Sequence, residues 1–454
     1  MEGSAATIFA RASAPGRAGV AMFRVSGPRV GAVIAMLTAT PLRPRVAHHR
    51  RIHGIDGSVI DEGILIYFKG PASFTGEEVL ELHLHGAPAV GRALFQTLEH
   101  AGCVLAEPGE FSLRALQNGK MDLAAVEGLS DLLAAETDGQ RRQALRQYGG
   151  ALSDEAQRWR ADLVQILAAI AADIDFPDEE DVPAAVLEAA AGKLATLIAV
   201  LSQALETADQ ARRVRDGLSV ALIGAPNAGK SSLLNRLAGS DLAIVSEEPG
   251  TTRDIIETPL EIAGQLVRVA DTAGIRDNAA GTIEKEGIRR TMIRAEEADR
   301  RLLILDGSDR GTSVSRETKA LLVPGDLIAL NKADQAIRTE AQHLATALSN
   351  EVQTPLITLS ATTGDGVAGL MKALAKEVEE APGLNGALLS RERHVSHVGQ
   401  ARDALVRATA NLRLAPELAA EDIRLAARAF DHITGKIHVE EVLGDVFANF
   451  CIGK

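Results

Sequence analysis

The feature that most constrains this chain is a glycine-rich loop, Gly224-Ala-Pro-Asn-Ala-Gly229-Lys230-Ser231, between an apolar run ending at Ile223 and a helical start at Leu233, Leu234 and Leu237. A strand, such a loop and a helix form a P-loop. Its glycines let backbone N–H groups converge on phosphate oxygens. Lys230 sets a cation at the β- and γ-phosphates, and the Ser231 hydroxyl is offered to Mg²⁺. Asn227, Ala228 and Ser232 belong to the same phosphate-binding stretch. A P-loop requires a sheet, and the flanking pattern supplies one. Short apolar runs at Leu218–Ile223, Leu266–Ala270, Leu302–Leu305, Leu327–Leu330 and Leu356–Leu359 alternate with polar helical stretches. That alternation predicts a doubly wound α/β domain.

Taken alone, the loop could be a glycine-rich turn before a helix. The segments that follow it remove that reading. Asp271-Thr272-Ala273-Gly274 comes after the next strong strand, where the aspartate can hold Mg²⁺ through water and Gly274 can present its N–H to the γ-phosphate. Asn331-Lys332-Ala-Asp334 follows a third strand. The Asp334 carboxylate can accept from the N1–H and 2-amino edge of guanine, a donor pair that adenine lacks. Ser360, Ala361 and Thr362 fit the loop behind the base. GTP is therefore the expected nucleotide. Between the P-loop and Asp271, the segment Ser246, Glu247, Glu248, Pro249, Gly250, Thr251 and Thr252 fits a switch loop that closes only on a γ-phosphate. The residue after Gly274 is Ile275. An isoleucine cannot orient water, so hydrolysis must recruit Glu284, Glu286, a bound cation or a partner.

The whole chain has 454 residues, which suggests two or three domains. Aromatic residues are only 3%, so aliphatic side chains must build the cores. The first 118 residues read as strand-rich: Gly63 to Phe68 is a short apolar run. In Val79–His85, Leu80, Leu82 and Leu84 alternate with Glu81, His83 and His85. Residues 119–215 turn helical, with Leu123, Val126, Leu129 and Leu133 and then Leu187, Leu194, Leu197, Leu201 and Leu205 at helical spacing. The acidic stretch from Asp175 to Asp181 reads as a loop. Residues 216–379 hold the nucleotide motifs, and 380–454 return to helix. The simplest organisation inserts the α/β domain into a helical domain built from both flanks.

Net charge is -13, so any contact with RNA requires a local basic patch or a partner that supplies the charge. Two cysteines, Cys103 and Cys451, make no disulfide framework and point to a reducing cytoplasm. The N-terminus lacks the apolar run of a signal peptide, and no unbroken stretch approaches the roughly 20 apolar residues of a bilayer span. His83 and His85 share a strand face with Glu81, an arrangement open to a metal or to ordinary polar packing. Cys103 reads as a buried structural cysteine. Cys451 is open to two readings, a reactive thiol or a core cysteine.

Several segments outside the nucleotide motifs carry a resemblance: Ala14-Pro-Gly-Arg-Ala-Gly-Val, Ser73-Phe-Thr-Gly-Glu-Glu-Val-Leu-Glu-Leu, Pro108-Gly-Glu-Phe-Ser, Asp175-Phe-Pro-Asp-Glu-Glu and Phe450-Cys-Ile-Gly-Lys454. With them the chain resembles, over essentially its whole length, the MnmE (TrmE) family, GTPases of tRNA wobble-uridine modification. The resemblance implies an α+β multidomain fold: a mixed α/β folate-binding and dimerising N-terminal domain, an all-α helical domain, and an inserted Ras-like GTPase domain. It implies a homodimer, and a heterotetramer with MnmG, a partner that uses FAD and NADH. Together they would add an aminomethyl or carboxymethylaminomethyl group to C5 of the tRNA wobble uridine, position 34. The one-carbon unit would come from 5-formyl- or methylene-tetrahydrofolate. By motif, the resemblance gives K⁺ to Asn227, Ser246, Glu248 and Thr251, and Mg²⁺ to Ser231 and Thr252. It gives folate to Arg24, Glu81, Lys120 and Lys454, and the attacking water to Glu284. It also makes Cys451 a candidate reactive thiol. The stretch after Gly274 is one residue longer than the usual pattern, which bears on Glu284. A competing reading is a regulatory GTPase that assembles ribosomes or metal clusters; it needs neither the folate residues nor Cys451.

Overall fold

The computed structural model describes residues 6–175, 184–244, 257–271, 292–309, 311, 313–379, 387–435 and 453. The chain forms two compact units. One comprises Met1–Leu133, Leu145–Leu201 and Ser396–Lys454, and the other Ala134–Ala144 and Ser202–Val395.

The first unit starts with a six-stranded sheet. Its strands are β1 (Ile8–Arg11), β2 (Ala18–Ser26), β3 (Ala47–His53), β4 (Val59–Phe68), β5 (Val79–Gly86) and β6 (Val104–Leu105), in the order β3-β4-β5-β2-β1-β6. All pairings are antiparallel except β1 with β6. The period-two pattern decides which face is covered. Phe23 and Val25 of β2 and Leu80, Leu82 and Leu84 of β5 are buried in one core with α1 (Val30–Thr38) and α2 (Pro88–His100). Burying each such aliphatic side chain is worth about 1.5–3 kcal/mol. The alternate residues, Arg24 and Glu81 among them, therefore go to the opposite face, where α3 (Glu110–Gln117) packs Phe111 against Ile8, Ala10 and Phe74. The alternation foreseen in Val79–His85 is present, with the leucines buried and His85 exposed.

The helical part of this unit contains α4 (Leu123–Ala134), α6 (Ala151–Asp175), α7 (Ala184–Glu206) and the helices Glu392–Asn411 and Pro416–Thr434; α5 (Asp138–Tyr148) lies between α4 and α6. Trp159 of α6 meets Phe430 at a ring separation of 5.4 Å, and Arg160 pairs with Asp431 at 2.9 Å. By length and composition alone, Leu187–Asp216 reaches the measure of a membrane-crossing helix. Within it, Ala190, Leu194, Leu197 and Leu201 form a buried stripe, as on the core face of an amphipathic helix.

The second unit is built on β7 (Leu218–Ile223), β8 (Glu257–Ile262), β9 (Gln265–Asp271), β10 (Arg300–Asp306), β11 (Leu327–Asn331) and β12 (Ile357–Thr358), in the order β12-β11-β10-β7-β9-β8. Every pairing is parallel except β8 with β9. One face packs on α9 (Lys230–Ala238) and the helix Val367–Glu379, the other on the helix Thr339–Glu351. This is the doubly wound arrangement that the alternating runs predict. β8 was not among those runs, because its buried Thr258, Leu260 and Ile262 alternate with polar neighbours, as suits an edge strand.

Candidate functional site

In doubly wound sheets, ligands bind at the carboxyl ends of the strands, and the nucleotide motifs collect there. The P-loop leaves β7 at Ile223 and enters α9 at Lys230. Gly229 caps the helix at φ +100°, and a Cβ there would lie 2.1 Å from the Asn331 side-chain nitrogen, so only glycine fits. Asn227 also has a left-handed φ of 65°, a conformation asparagine tolerates better than most residues, and is exposed. Lys230 donates to Gly224 O at 2.8 Å and Ala225 O at 3.0 Å, laying its ammonium across the loop. Burial pushes the Lys230 pKa below the usual lysine range, while the Asp271 carboxylate pulls against that shift.

Ser231 and Asp271 are far apart in sequence, yet Ser231 Oγ donates to Asp271 Oδ2 at 2.6 Å. The hydroxyl and the carboxylate meet beside the exposed phosphate loop. A hard divalent cation prefers such an all-oxygen set, so these residues fit Mg²⁺.

The base side is equally well assembled. Buried Asn331 donates through Nδ2 to Ala228 O at 2.7 Å and accepts from Ala361 N at 2.9 Å. Asp334 is exposed and is fixed by Ser360 Oγ, which donates to it at 2.6 Å. Its second oxygen and remaining lone pairs suit the two donors of guanine. Lys332 has a left-handed φ of 63° and pairs with Asp306 at 2.6 Å. Burial raises the Asp306 carboxyl, but hydrogen bonds from Lys332 and Ser308 outweigh it, so its pKa lies below the ordinary value. Arg236 donates to the carbonyls of Ala361 and Thr362. Sequence reasoning missed Asp306 and Arg236. Neither stands in a motif, and only their places at the end of β10 and on α9 tie them to the site.

A second constellation lies on the open face of the N-terminal sheet. Arg24 and Glu81 are cross-strand partners on β2 and β5, and the guanidinium donates through Nε and NH2 to Glu81 Oε1, at 3.2 and 2.9 Å. Both are largely buried. The Arg24 guanidinium lies 5.1 Å from the Phe74 ring centre and 5.7 Å from that of Phe111. These rings were not singled out from sequence; their signal is the Ser73-Phe and Glu110-Phe segments. Buried Ser26, Thr75 and Arg114 continue the polar network. Ser26 meets Thr75 at 2.7 Å and donates to Glu77 at 2.7 Å, and Arg114 pairs with Glu77 and Glu110. Lys120 is exposed in the turn after α3, its stem beside Gly76. Gly453 is buried at φ +106°, and a Cβ there would lie 2.5 Å from Arg11 O. It thus packs on the end of β1, where Ala10 is the strand partner of Arg24.

His85 is held by Asp61 at 2.8 Å, and His83 stands 3.8 Å from Glu81. Cys103 is buried, and that burial pushes its thiol pKa up. Glu284, Cys451, Lys454, the stretch from Ser246 through Glu247, Glu248, Pro249, Gly250 and Thr251 to Thr252, and Thr272, Ala273 and Gly274 lie outside the described residues.

The family description "GTP-binding protein TrmE N-terminus" matches residues 7–120, and "MnmE helical domain" matches residues 123–451. Curated proteins called tRNA modification GTPase MnmE match end to end. The one from Caulobacter vibrioides is 49% identical, and the one from Phenylobacterium zucineum 47%, each over 99% of both chains. That from Paramagnetospirillum magneticum is 46% identical over 99% of both. A P-loop closed by Asn331 and Asp334, an Arg24–Glu81 face and this full-length similarity agree: the chain belongs to the MnmE family of GTP-hydrolysing tRNA modification enzymes.

Proposed function

We propose that this GTPase couples GTP hydrolysis to one-carbon chemistry on the wobble uridine, with a folate held on the open face of the N-terminal sheet. The observation that carries the reading is the Arg24–Glu81 pair flanked by Phe74 and Phe111. A pterin presents a flat ring with a 2-amino/N3 donor edge. Glu81 accepts from that edge, the two phenyl rings cover the plane, and Arg24 holds the carboxylate in place. Lys120 and Lys454 supply cations for the glutamate tail of 5-formyl- or methylene-tetrahydrofolate. The packing of Gly453 on β1 supports a tail that returns to this face and brings Cys451 towards it.

At the nucleotide, Ser231 and Thr252 hold Mg²⁺, which neutralises phosphate charge when bound. Asn227, Ser246, Glu248 and Thr251 hold K⁺ in place of an arginine finger. Glu284 orients the attacking water. The chain works in the cytoplasm as a homodimer joined through its N-terminal domains, in a heterotetramer with the FAD- and NADH-using MnmG. The product is an aminomethyl or carboxymethylaminomethyl group on C5 of uridine 34.

Calorimetric titration with 5-formyl-tetrahydrofolate tests this reading. Glu81→Gln keeps the shape and removes the charge, so affinity should fall about 10–100-fold, as expected for a charged hydrogen bond worth about 1.5–3 kcal/mol. GTP hydrolysis should be unchanged. Equal folate affinity in the two proteins would remove the site from the reaction.

A further inference from the structure

The substrate of this family is a polyanion, while the chain carries 61 acidic against 48 basic residues. A cationic surface is therefore needed, and the sequence concentrates one. From Arg43 to His53 there are four arginines and three histidines, and no Asp or Glu. The structure places this segment at the rim of the N-terminal sheet, because β3 is an edge strand with only β4 beside it.

Most of its charge is not neutralised. Glu62 takes Arg51 at 3.1 Å and stands 3.6 Å from His49. Among the described residues Arg43, Arg45 and Arg50 form no ion pair, and all three are exposed. The other nearby carboxylates are engaged: Asp61 with His85, Asp56 with Ser58, and Glu78 with Tyr67.

The segment is also held in shape. The Arg45 N–H donates to Tyr67 O at 2.7 Å, its guanidinium donates to Ala72 O at 2.6 Å, and it lies 5.6 Å over the Phe68 ring. The Arg43 N–H donates to His48 Nε2 at 2.9 Å. Arg45 keeps a left-handed φ of 61°, which costs a non-glycine residue roughly 1–2 kcal/mol. Glycine would relieve that strain but would forfeit the cation.

We propose that the Arg43–Arg51 edge is a docking surface for the phosphate backbone of tRNA. The choice of tRNA among polyanions rests on the family assignment. Edge-to-edge pairing with a second copy is the competing occupant. It would set arginines and histidines against each other, and like charges directly opposed across strands are destabilising. A phosphate backbone meets the same row with opposite charge and takes hydrogen bonds from each guanidinium.

The experiment compares the full chain with an Arg43→Gln, Arg50→Gln variant. Binding to fluorescently labelled tRNA is read by anisotropy across a KCl series. Arg45 is left in place because it shapes the loop. Each lost phosphate contact should flatten the log–log salt dependence by about 0.7–0.9, so the double variant should lose about 1.5–2 from the slope and roughly ten-fold in affinity at low salt. Arg141→Gln, Arg142→Gln is the control, since both arginines are already paired with Asp138; its slope should stay within a few tenths of the parent. GTP hydrolysis by every protein reports folding. An unchanged slope in the Arg43, Arg50 variant overturns the proposal. So does a loss of affinity that follows dissociation of the dimer, read by sedimentation of the same samples.

Discussion

The sheet of the N-terminal body and the sheet of the nucleotide-binding body have six strands each, yet they carry their candidate chemistry in different places. In the second, the strands are parallel and buried on both faces, so nothing polar is left on them. Phosphate, cation and base contacts move to the loops beyond Ile223, Asp271, Asn331 and Thr358. In the first, the strands are mostly antiparallel, and one face is left for Arg24 and Glu81, side chains in the middle of strands. A loop site can change its chemistry without disturbing the core. A face site shares its residues with the sheet that carries them.

The sharpest way to break this comparison lies in the P-loop. If its chemistry resides in a loop cation, Asn227→Ala should remove activation of GTP hydrolysis by potassium while leaving nucleotide binding and thermal stability nearly intact. Arginine fingers in other GTPases are worth about 10³–10⁵-fold, which sets the scale of the loss. Hydrolysis measured in K⁺ and in Na⁺ decides the matter, and equal rates for the parent chain in both salts would end the cation assignment.

The base loop gives the next largest effect. Asp334→Asn exchanges a charged acceptor for an amide, and GTP affinity should fall by a factor of about 10–100. Xanthosine triphosphate, with an oxygen in place of the 2-amino group, should gain relative to GTP. If fluorescence titrations show an unaltered preference, Asp334 does not read the base.

The smallest effect concerns how the loops are fastened. The folded pKa of Asp306 is depressed, so its pairing with Lys332 stabilises the fold above the unfolded carboxyl value near 4. That contribution is lost as pH falls through the still lower folded value. Asp306→Asn should therefore cost about 1 kcal/mol or less at neutral pH and flatten the acid limb of a denaturation series. A variant with the parent's full acid sensitivity would show that the pair does not fasten the loop.

These differences also explain what could be read from the sequence. The nucleotide site was legible because backbone loops at strand ends need glycine, lysine and carboxylates in fixed order. The runs at Leu218–Ile223 and Leu327–Leu330 fall on β7 and β11. Arg24 and Glu81 were legible only through resemblance, since an arginine and a glutamate on alternating strands look like any solvated face. Phe74 and Phe111 come from a loop and a helix, and only the fold brings them to one guanidinium. The grouping of Ala134–Ala144 with the nucleotide-binding unit left no sequence signal either. It follows from tertiary contacts such as Gly139 N–H donating to Gly264 O and Gln143 donating to Ala211 O.

The two hydrogen bonds of Asn331 have a consequence for how this enzyme senses its nucleotide. One amide group ties the floor of the phosphate loop to the loop behind the base, through Ala228 on one side and Ala361 on the other. The two ends of the binding cleft are therefore braced by a single strut and cannot be ordered separately. A ligand that fills only one end, such as inorganic triphosphate or guanosine, must still bear the cost of setting the whole brace. Its affinity should fall short of what its own contacts would give. Triphosphate and guanine reinforce one another, and the cleft answers to the intact nucleotide more sharply than to the sum of its parts.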